Sequence, residues 1–436
     1  MPSARPVTAV IVGAGHRAML YASYATERPE ELRIVGVADP VEYRRRDARA
    51  AFGFPAENCF ESAGALAARG KIADAAINGT MDHQHVPTSL PLLAAGYDLL
   101  LEKPFATGEA EMWRLVEAAR EHGRKVMVCH VLRYAPFYAE IRRRVAAGEI
   151  GEILNMHFTE HLSYHHVAVG YLRGKWARRE ECHATMLMAK CCHDLDLMAW
   201  MKSGVPPVRV ASLGSDFQFR PEKAPPRAGT RCLADCPLEP ECLYSARKHY
   251  LDHPRRWRFY AWAALENVPD PTPEQMYRHL RDESPYGRCV WKCGHDTVDH
   301  QAVVADFADG STATLNMVGG CAKADRSIHL IGTAGEIQGN LEDERFAVRH
   351  ITPAPGGPEF SEQVVDLKVS GDTTGAFGGH GGGDLRLVAD FVRFLRNEPP
   401  SLSCTSLEDS ISGHLLGFLA DRSREEGRVL AVGRGR

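Results

Sequence analysis

The chain has 436 residues, of which 44% are hydrophobic and 25% are charged, and its formal net charge is −4. This length and composition are typical of a globular protein with two domains and exclude disorder as the main state. The small negative charge gives no electrostatic reason to expect a nucleic-acid partner. The first apolar run is too short for a signal-peptide core, and no segment approaches the roughly 20 apolar residues of a membrane span. We therefore expect a cytoplasmic protein that binds neither nucleic acid nor membranes.

The N-terminal segment predicts a dinucleotide site. From Val7 it reads VTAVIVGAGHRAMLYASYA, which is an apolar strand, a glycine turn and a helical pattern. In that context Gly13 allows a tight turn, and Gly15 lets the backbone approach a pyrophosphate at the start of the helix. A second strand ends at Asp39, whose carboxylate would accept hydrogen bonds from the adenosine ribose and repel a 2′-phosphate. These features predict NAD rather than NADP.

Strands and helices continue to alternate as far as residue 129, which predicts a doubly wound parallel sheet. Ligands of such sheets bind beyond the carboxyl ends of the strands. Two of these strand ends carry polar or small residues: Asn78, Gly79 and Thr80 at one, and Glu102, Lys103 and Pro104 at the next. We expect both groups to face the cofactor, and we assign residues 1–129 to an NAD-binding domain.

Residues 185–201 contain neither Gly nor Pro, and their apolar positions recur at helical spacing, so we predict one helix. At about 100° per residue, Cys191 and Cys192 fall on the apolar arc, whereas His193 points elsewhere. A metal site shared by these three residues is disfavoured, because ligands on a helix normally lie three or four positions apart. His193 is then either a catalytic acid/base or a buried structural histidine.

The rest of the chain predicts a second domain over residues 130–436. Four strand candidates between residues 299 and 341 are joined by short turns and indicate an antiparallel sheet. Residues 216–296 form an irregular insertion, rich in Pro and Arg, with little obvious core. It contains Cys232, Cys236, Cys242, Cys289 and Cys293, followed by His295. We expect either a structural zinc at these cysteines or free thiols, and disfavour disulfides in a reducing compartment.

Several further residues are candidates for the lining of a substrate cleft. His380 lies in the glycine-dense segment GAFGGHGGGD, where the backbone could approach a ligand closely, although a plain connector would look the same. Other candidates lie on either side of the insertion: His161, Tyr164, His165, His166 and His300.

Four motifs resemble the Gfo/Idh/MocA family, the group of glucose-fructose oxidoreductase and inositol dehydrogenase. They are GAGHRA, HQHVPTSLPLLAAGYDLLLEKPFA, HVLRYAPFYAEIRRRVAAGEIGEI and CCHDLDLMAW, and the Glu-Lys-Pro element is the most specific. The resemblance implies an α/β protein with an N-terminal Rossmann domain. It also implies a C-terminal α+β domain with a large open mixed, mainly antiparallel sheet, which covers the active site and often forms a homodimer or homotetramer. The motifs assign cofactor binding to Gly13, Gly15, His16, Arg17, Asp39, Asn78, Gly79, Thr80, His85, Glu102, Lys103 and Arg133.

The resemblance also implies that Lys103 lies between nicotinamide and substrate and that His193 is the acid/base. An ammonium can hold the substrate oxygen as negative charge develops, while the histidine takes the hydroxyl proton. Many polyol dehydrogenases of the family have an aspartate one turn before the histidine, where this chain has Ala189. The second member of the proton relay is therefore expected among Lys190, Asp194 and Asp196, and Tyr164 and His380 are expected to contact the substrate.

The leading prediction is an NAD-dependent oxidoreductase, with NADP less favoured, that interconverts a secondary hydroxyl and a ketone of a sugar, sugar derivative or polyol. One alternative is a redox-neutral, NAD-dependent glycosidase, because a transient ketone acidifies the neighbouring C–H and permits elimination. Another is a non-enzymatic NAD-binding regulator, which the presence of both Lys103 and His193 disfavours.

Overall fold

The apolar runs of the N-terminal part form a six-stranded parallel sheet. The structure is a computed structural model that describes residues 5–353, 355–367 and 382–433, so His380 lies outside the described residues. The strands are β1 (Val7–Val12), β2 (Leu32–Ala38), β3 (Cys59–Phe60), β4 (Ala75–Asn78), β5 (Asp98–Leu101) and β6 (Val126–Val128). Their order is β3-β2-β1-β4-β5-β6, and all neighbours are parallel. The predicted doubly wound sheet is confirmed, and its order reverses between β1 and β4, where such sheets bind ligands.

Helices cover both faces of this sheet, which is why β1 is apolar at every position except Thr8 instead of alternating. They are α1 (His16–Ala22), α2 (Tyr24–Glu27), α3 (Glu42–Phe52), α4 (Ala63–Arg69), α5 (His85–Ala94) and α6 (Glu109–Glu121).

The second part of the chain forms a large mixed sheet, as predicted. Its strands are β7 (Ile153–Ser163), β8 (Pro207–Ser215), β9 (His300–Phe307), β10 (Thr312–Cys321), β11 (Ser327–Gly332), β12 (Gly335–Asn340), β13 (Arg345–Ile351), β14 (Phe360–Asp366) and β15 (Leu430–Ala431). Their order is β14-β13-β12-β11-β7-β10-β9-β8-β15, with antiparallel neighbours except the parallel pair β7 and β10. Burial alternates along β9, so one face packs on helices and the other stays open.

The remaining helices lie mostly against this second sheet. They are α7 (Pro136–Ala146), α8 (Tyr164–Val167), α9 (Arg179–Cys182), α10 (Met186–Met201), α11 (Phe259–Trp262), α12 (Pro273–Asp282), α13 (Gly383–Leu395) and α14 (Leu407–Glu426). The predicted helix over 185–201 is confirmed as α10, whose N-cap Thr185 accepts a 3.2 Å bond from the Met188 N–H. α14 packs closely on it, because an added Cβ on Gly413 would lie 2.9 Å from the Asp196 Cα.

The first sheet is completed by residues from the far end of the chain. Leu387, Val388 and Phe391 of α13 lie in the same buried cluster as apolar side chains of β1, β2 and β4. The backbone carbonyl of Thr405 also accepts a 2.9 Å bond from the Val128 N–H at the edge of the sheet. The predicted boundary at residue 129 stays a prediction, and the packing of the first domain extends well beyond it.

The insertion at residues 216–296 is largely irregular, as predicted, but the expectation that it lacks a core was wrong. Cys232, Tyr250, Ala261, Met276 and Leu280 are buried together in a small apolar cluster. Burial of these aromatic and aliphatic side chains stabilises the insertion. The insertion therefore has a small apolar core of its own.

The open face of the second sheet carries exposed apolar side chains, among them Leu154, Leu213 and Val304. Oligomerisation through this sheet stays a prediction, and the mass of the purified protein measured by light scattering tests it. Over the described ranges, no helix has the length and apolar character needed to cross a bilayer.

Candidate active site

The two glycines of the first turn differ in what surrounds them. Gly13 has φ +75°, and a Cβ added to it would lie 2.9 Å from the backbone N and Cα of Thr80. Gly15 is extended, with φ −80° and ψ 177°, and a Cβ added there would meet nothing within 4 Å. The fold therefore needs a glycine at position 13, whereas the clearance above Gly15 fits the close approach of a dinucleotide phosphate.

This difference predicts that alanine affects a different property at each of the two positions. Gly15→Ala should weaken NAD binding about tenfold and change the free energy of unfolding by less than about 1 kcal/mol, because its backbone conformation suits alanine. Gly13→Ala should cost about 1–3 kcal/mol of stability through strain. Calorimetric NAD titration and urea denaturation measure the two quantities. Unaltered NAD affinity in Gly15→Ala would contradict the assignment of the phosphate site.

Asp39 at the end of β2 fixes the glycine turn. Its Oδ2 accepts a 2.7 Å bond from the Ala14 N–H, and its Oδ1 accepts a 2.8 Å bond from the Val41 N–H. The residue is 2% exposed. Each carboxylate oxygen can accept a further bond, so the predicted ribose contact is compatible with this arrangement and stays a prediction.

The loops after β4 and β5 are bonded to each other. Asn78 Oδ1 accepts a 2.8 Å bond from the Thr80 hydroxyl. The two ring nitrogens of His85 face the carbonyl oxygens of Pro104, at 2.7 Å, and Thr80, at 3.1 Å. An added Cβ on Gly79 would lie 2.8 Å from a Cβ of α1, so glycine lets this loop pack against the helix. The predicted cofactor-facing residues at these strand ends thus form one connected structure.

Arg17 and Glu102 lie together at the centre of this edge. Arg17 Nε lies 2.9 Å from Glu102 Oε1, which also accepts a 2.7 Å bond from the Tyr21 hydroxyl, and Arg17 Nη2 donates to Asp384 at the start of α13. Burial opposes ionisation of Glu102, but the charges of Arg17 and Lys103 outweigh it and lower its pKa to about 2. Glu102 Oε2 accepts a 2.7 Å bond from the Lys103 N–H. The ionised carboxylate therefore holds the backbone that carries Lys103.

Lys103 reaches from the first sheet to the helix that carries His193. The peptide bond between Lys103 and Pro104 is cis. Lys103 Nζ donates a 2.9 Å hydrogen bond to the carbonyl oxygen of Ala189, one helical turn before His193. The His193 ring is 5.7 Å from the ring of the fully buried His130, and His193 itself is 4% exposed. The Lys103 ammonium therefore lies about one turn of α10 before His193, and the catalytic roles of the two residues stay predictions.

Lys190 and Asp194 belong to a buried network of four charges. Lys190 Nζ lies 3.2 Å from Glu160 Oε1, and Arg326 forms ion pairs with Glu160 and Asp194. Its Nη2 donates a 3.1 Å hydrogen bond to Asp194 Oδ2, and its Nε lies 3.0 Å from Oδ1. Burial raises the pKa of Asp194, and Glu160 adds to this shift against the charge of Arg326. Asp194 is fully buried, whereas Lys190 is half-buried. Of these two relay candidates, Lys190 is the one that is partly exposed to solvent.

Asp196 and Arg133 bind each other. Arg133 Nε lies 2.7 Å from Asp196 Oδ2, its Nη2 lies 2.6 Å from Oδ1, and both side chains are buried. The remaining nitrogen of Arg133 donates to the Cys404 carbonyl, and its guanidinium lies 5.4 Å from the Trp200 ring centroid. This bidentate pair ties the turn before α7 to α10. The predicted relay role of Asp196 and the predicted cofactor contact of Arg133 stay predictions.

The insertion contributes an aromatic wall that the sequence did not reveal. Trp257 stacks on His166 at a ring distance of 4.3 Å, and Phe259 lies 5.5 Å from His16 beside the glycine turn. The ring of Tyr260 packs on Phe259 at 4.4 Å and lies 6.1 Å from the ring of Trp176. The only signal was the run HPRRWRFYAW in an otherwise irregular segment.

Lys175 is a further lysine near Lys103, and the sequence analysis did not single it out. It is accessible to solvent and its ammonium lies 4.2 Å from the Trp176 ring centroid. The protein groups around Lys175 partly desolvate its ammonium and so lower its pKa, and the nearby charge of Lys103 adds to that shift while Asp82 opposes it. Trp176 itself donates a 2.9 Å bond to Asp82. An accessible ammonium among so many protein groups indicates a position in the wall of the cleft.

The other predicted cleft residues fall into two groups. Burial, then the charges of Lys190 and other nearby cations, lower the pKa of His166, which places it near the network described above. Tyr164 and His165 pack together at 5.3 Å on the same helix, α8. His161 and His300 lie on strands of the second sheet, beside Asp325 at 3.8 Å and Asp299 at 2.8 Å respectively.

The predicted structural zinc is not supported. The residues concerned are Cys232, Cys236, Cys242, Cys289 and Cys293, and all five are free thiols. Across the described ranges, no three His, Cys, Asp or Glu side chains are grouped as metal ligands. Cys232 Sγ lies 3.4 Å from a guanidinium nitrogen of Arg173, whose charge opposes a cation, and Cys242 Sγ accepts a bond from the Tyr244 N–H. The alternative of packed free thiols agrees with these contacts.

Both parts of the chain match models of one oxidoreductase family. The model described as the NAD-binding Rossmann fold of the family matches residues 7–130, and the model described as its C-terminal alpha/beta domain matches residues 142–432. Together the two matches cover most of the chain.

Individual relatives agree with this assignment. The chain is 24% identical to YteT of Bacillus subtilis (strain 168) over 75% of this chain and 73% of that protein, and YteT is named as an oxidoreductase. It is 32% identical to inositol 2-dehydrogenase 4 of Saccharopolyspora erythraea over 36% of this chain and 45% of that protein.

Two solved structures share the whole fold at low identity. One is an oxidoreductase from Agrobacterium radiobacter in complex with NAD+, L-tartaric acid and magnesium, with a TM-score of 0.67, 15% identity and 98% coverage of both chains. The other is the WlbA dehydrogenase from Bordetella pertussis in complex with NADH and UDP-GlcNAcA, with a TM-score of 0.67, 16% identity and 100% coverage of both chains.

Proposed function

Because the chain belongs to the Gfo/Idh/MocA family of oxidoreductases, we propose that it is an NAD-dependent dehydrogenase of a secondary hydroxyl in a sugar, sugar derivative or polyol. The reverse reduction of the ketone uses the same groups. Relatives named as inositol 2-dehydrogenases, and the sugar nucleotide bound to WlbA, support this class of substrate.

The observation that carries the proposal is the position of Lys103 beside the helix of His193. Lys103 Nζ is 2.9 Å from the Ala189 carbonyl, and Ala189 precedes His193 by one turn of α10. The same lysine follows Glu102, which is bonded to Arg17 next to the open glycine turn. A substrate bound between Lys103 and His193 would therefore lie at the nicotinamide end of a dinucleotide on the first sheet.

Each residue then has a chemical task. When bound, NAD supplies the hydride acceptor. Lys103 holds the substrate oxygen as negative charge develops on it, and His193 accepts the hydroxyl proton. Glu102 keeps the Lys103 backbone in place through its 2.7 Å bond. The aromatic wall of Trp257 and Tyr260 excludes water from the cleft, which strengthens both polar contacts.

We assign the second position of the proton relay to Lys190. Its amine is half-buried and bonded to Glu160, whereas Asp194 and Asp196 are fully buried and held by arginines. A proton accepted by His193 has to pass on to solvent, and a partly exposed neighbour such as Lys190 can release a proton of its own to water and then take up the one from His193. Of the three predicted candidates, Lys190 has that position.

A direct test incubates the purified protein with NAD and a panel of inositols, aldoses, uronates and nucleotide sugars in D₂O, with NADH followed by absorbance. We expect stoichiometric NADH and an oxidised product for at least one secondary alcohol. Deuterium in a cleaved product, at the carbon beside the oxidised one and without net NADH, would replace this proposal with the redox-neutral glycosidase. Tight NAD binding without turnover of any compound would favour a regulator instead.

A further inference from the structure

The insertion reaches the adenosine end of the dinucleotide site as well as the substrate end. Beyond the aromatic wall, Glu266 contacts the first turn of α3, the helix that follows β2. Its Oε1 lies 2.5 Å from the Tyr43 hydroxyl and 2.5 Å from Arg44 Nη2. The side chains of Arg44 and Glu266 are 33% and 36% exposed. This ion pair therefore lies at the rim of the site and not in the core.

Arg44 is placed where an arginine would otherwise admit NADP. It follows Asp39, the residue at the ribose position, by five residues on α3, and Asp39 contributes to the electrostatic surroundings of Arg44. In doubly wound dinucleotide domains an arginine in this neighbourhood accommodates the 2′-phosphate. Guanidinium groups bind phosphate through two parallel hydrogen bonds, which requires free N–H groups. In this chain, Glu266 engages one of those nitrogens.

We propose that Glu266, a residue of the insertion, makes the site selective for NAD by holding Arg44 and Tyr43. The inference rests on the proposed function, since it concerns the cofactor of that site. A 2′-phosphate would have to displace Glu266 from Arg44 and would then be repelled by the displaced carboxylate. NAD carries only a 2′-hydroxyl and meets neither obstacle.

The test measures binding of NAD and NADP to the full-length apo protein by isothermal titration calorimetry, independently of activity. Glu266→Gln keeps the size and hydrogen-bonding oxygen of the side chain and removes its charge. We expect the Kd for NADP to fall about fivefold, and the Kd for NAD to stay within about twofold, because the charges are partly exposed. Adding Arg44→Met should abolish the gain in NADP affinity, since the phosphate then has no guanidinium partner.

Glu274→Gln is the matched control. Glu274 lies in the same insertion and is paired with Arg278 at 2.9 Å on exposed α12, away from α3. It should leave both affinities unaltered. An equal weakening of both dinucleotides in Glu266→Gln would show that Glu266 closes the site without discriminating, and would overturn the inference, as would an unaltered ratio. A wild-type protein that binds neither dinucleotide would instead contradict the proposed function itself.

Discussion

Replacement of Lys103 by methionine is expected to lower kcat about a thousandfold and to leave the Kd for NAD within about threefold of its wild-type value. Methionine keeps the length of the side chain but cannot hold a developing negative charge on the substrate oxygen. The amine is held 2.9 Å from the Ala189 carbonyl, so its loss removes a group that is already aimed at the reacting centre. Steady-state kinetics on the substrate that turns over in the proposed panel, together with calorimetric NAD titration, measure both effects.

His193→Asn should give a similar loss, about a hundredfold to ten-thousandfold in kcat, because the general base is removed. Lys71→Met is the control, since Lys71 is exposed and lies outside the site. Near-normal kcat in Lys103→Met or in His193→Asn would remove that residue from the proposed mechanism. A parallel loss of NAD binding would show that the substitution disturbs the cofactor site and not the chemistry.

Replacement of Arg326 by methionine is expected to destabilise the protein by about 3–5 kcal/mol at neutral pH. The guanidinium bonds two carboxylates, of Asp194 and Glu160, and all three side chains are less than one tenth exposed. Its removal leaves Lys190 as the remaining cation of the described network, and it deprives Asp194 of its ion-pair partner. The free energy of unfolding from urea titrations gives the size of the loss.

The destabilisation should also depend on pH in a defined direction. Burial already raises the pKa of Asp194, and loss of Arg326 raises it further, so the folded variant binds a proton that the unfolded chain releases as the pH rises above the ordinary aspartate range. The variant should therefore become less stable relative to wild type as the pH is raised. Arg278→Met, which breaks an exposed pair with Glu274, should show little change at any pH. A pH-independent deficit in Arg326→Met would contradict this reading of the network.

The sequence predicted those parts of the molecule that depend on local pattern. The glycine turn at Gly13 and Gly15, the strand ends and the helix over 185–201 all follow from periodicity and residue type within short windows. The doubly wound parallel character of the first sheet followed because helices alternating with strands allow few topologies. The predicted family resemblance was confirmed over both parts of the chain.

Long-range ion pairs could not be predicted in the same way. Arg326 is 132 residues from Asp194, and Arg133 is 63 residues from Asp196. No periodicity links such partners, because their contact depends on how separate elements pack. The sequence therefore could not show that Asp196 and Arg133 pair with each other, and it suggested a proton relay for Asp196 and a cofactor contact for Arg133.

The composition of the insertion likewise did not predict how the insertion folds. Its clustered cysteines suggested a metal, yet its stability comes from buried side chains such as Tyr250 and Met276, whose contacts the irregular sequence does not disclose. Its aromatic run likewise gave no sign that Trp257 would stack on His166 or that Glu266 would contact Arg44.

The packing of α13 on the first sheet has a consequence for how the protein is made. Leu387, Val388 and Phe391 fill the apolar face of that sheet, and Asp384 on the same helix binds Arg17 beside the glycine turn. During synthesis the N-terminal half leaves the ribosome long before these residues are translated. We therefore expect the first sheet to keep an uncovered apolar surface, and Arg17 to lack one of its carboxylate partners, until residues 384–391 have been synthesised.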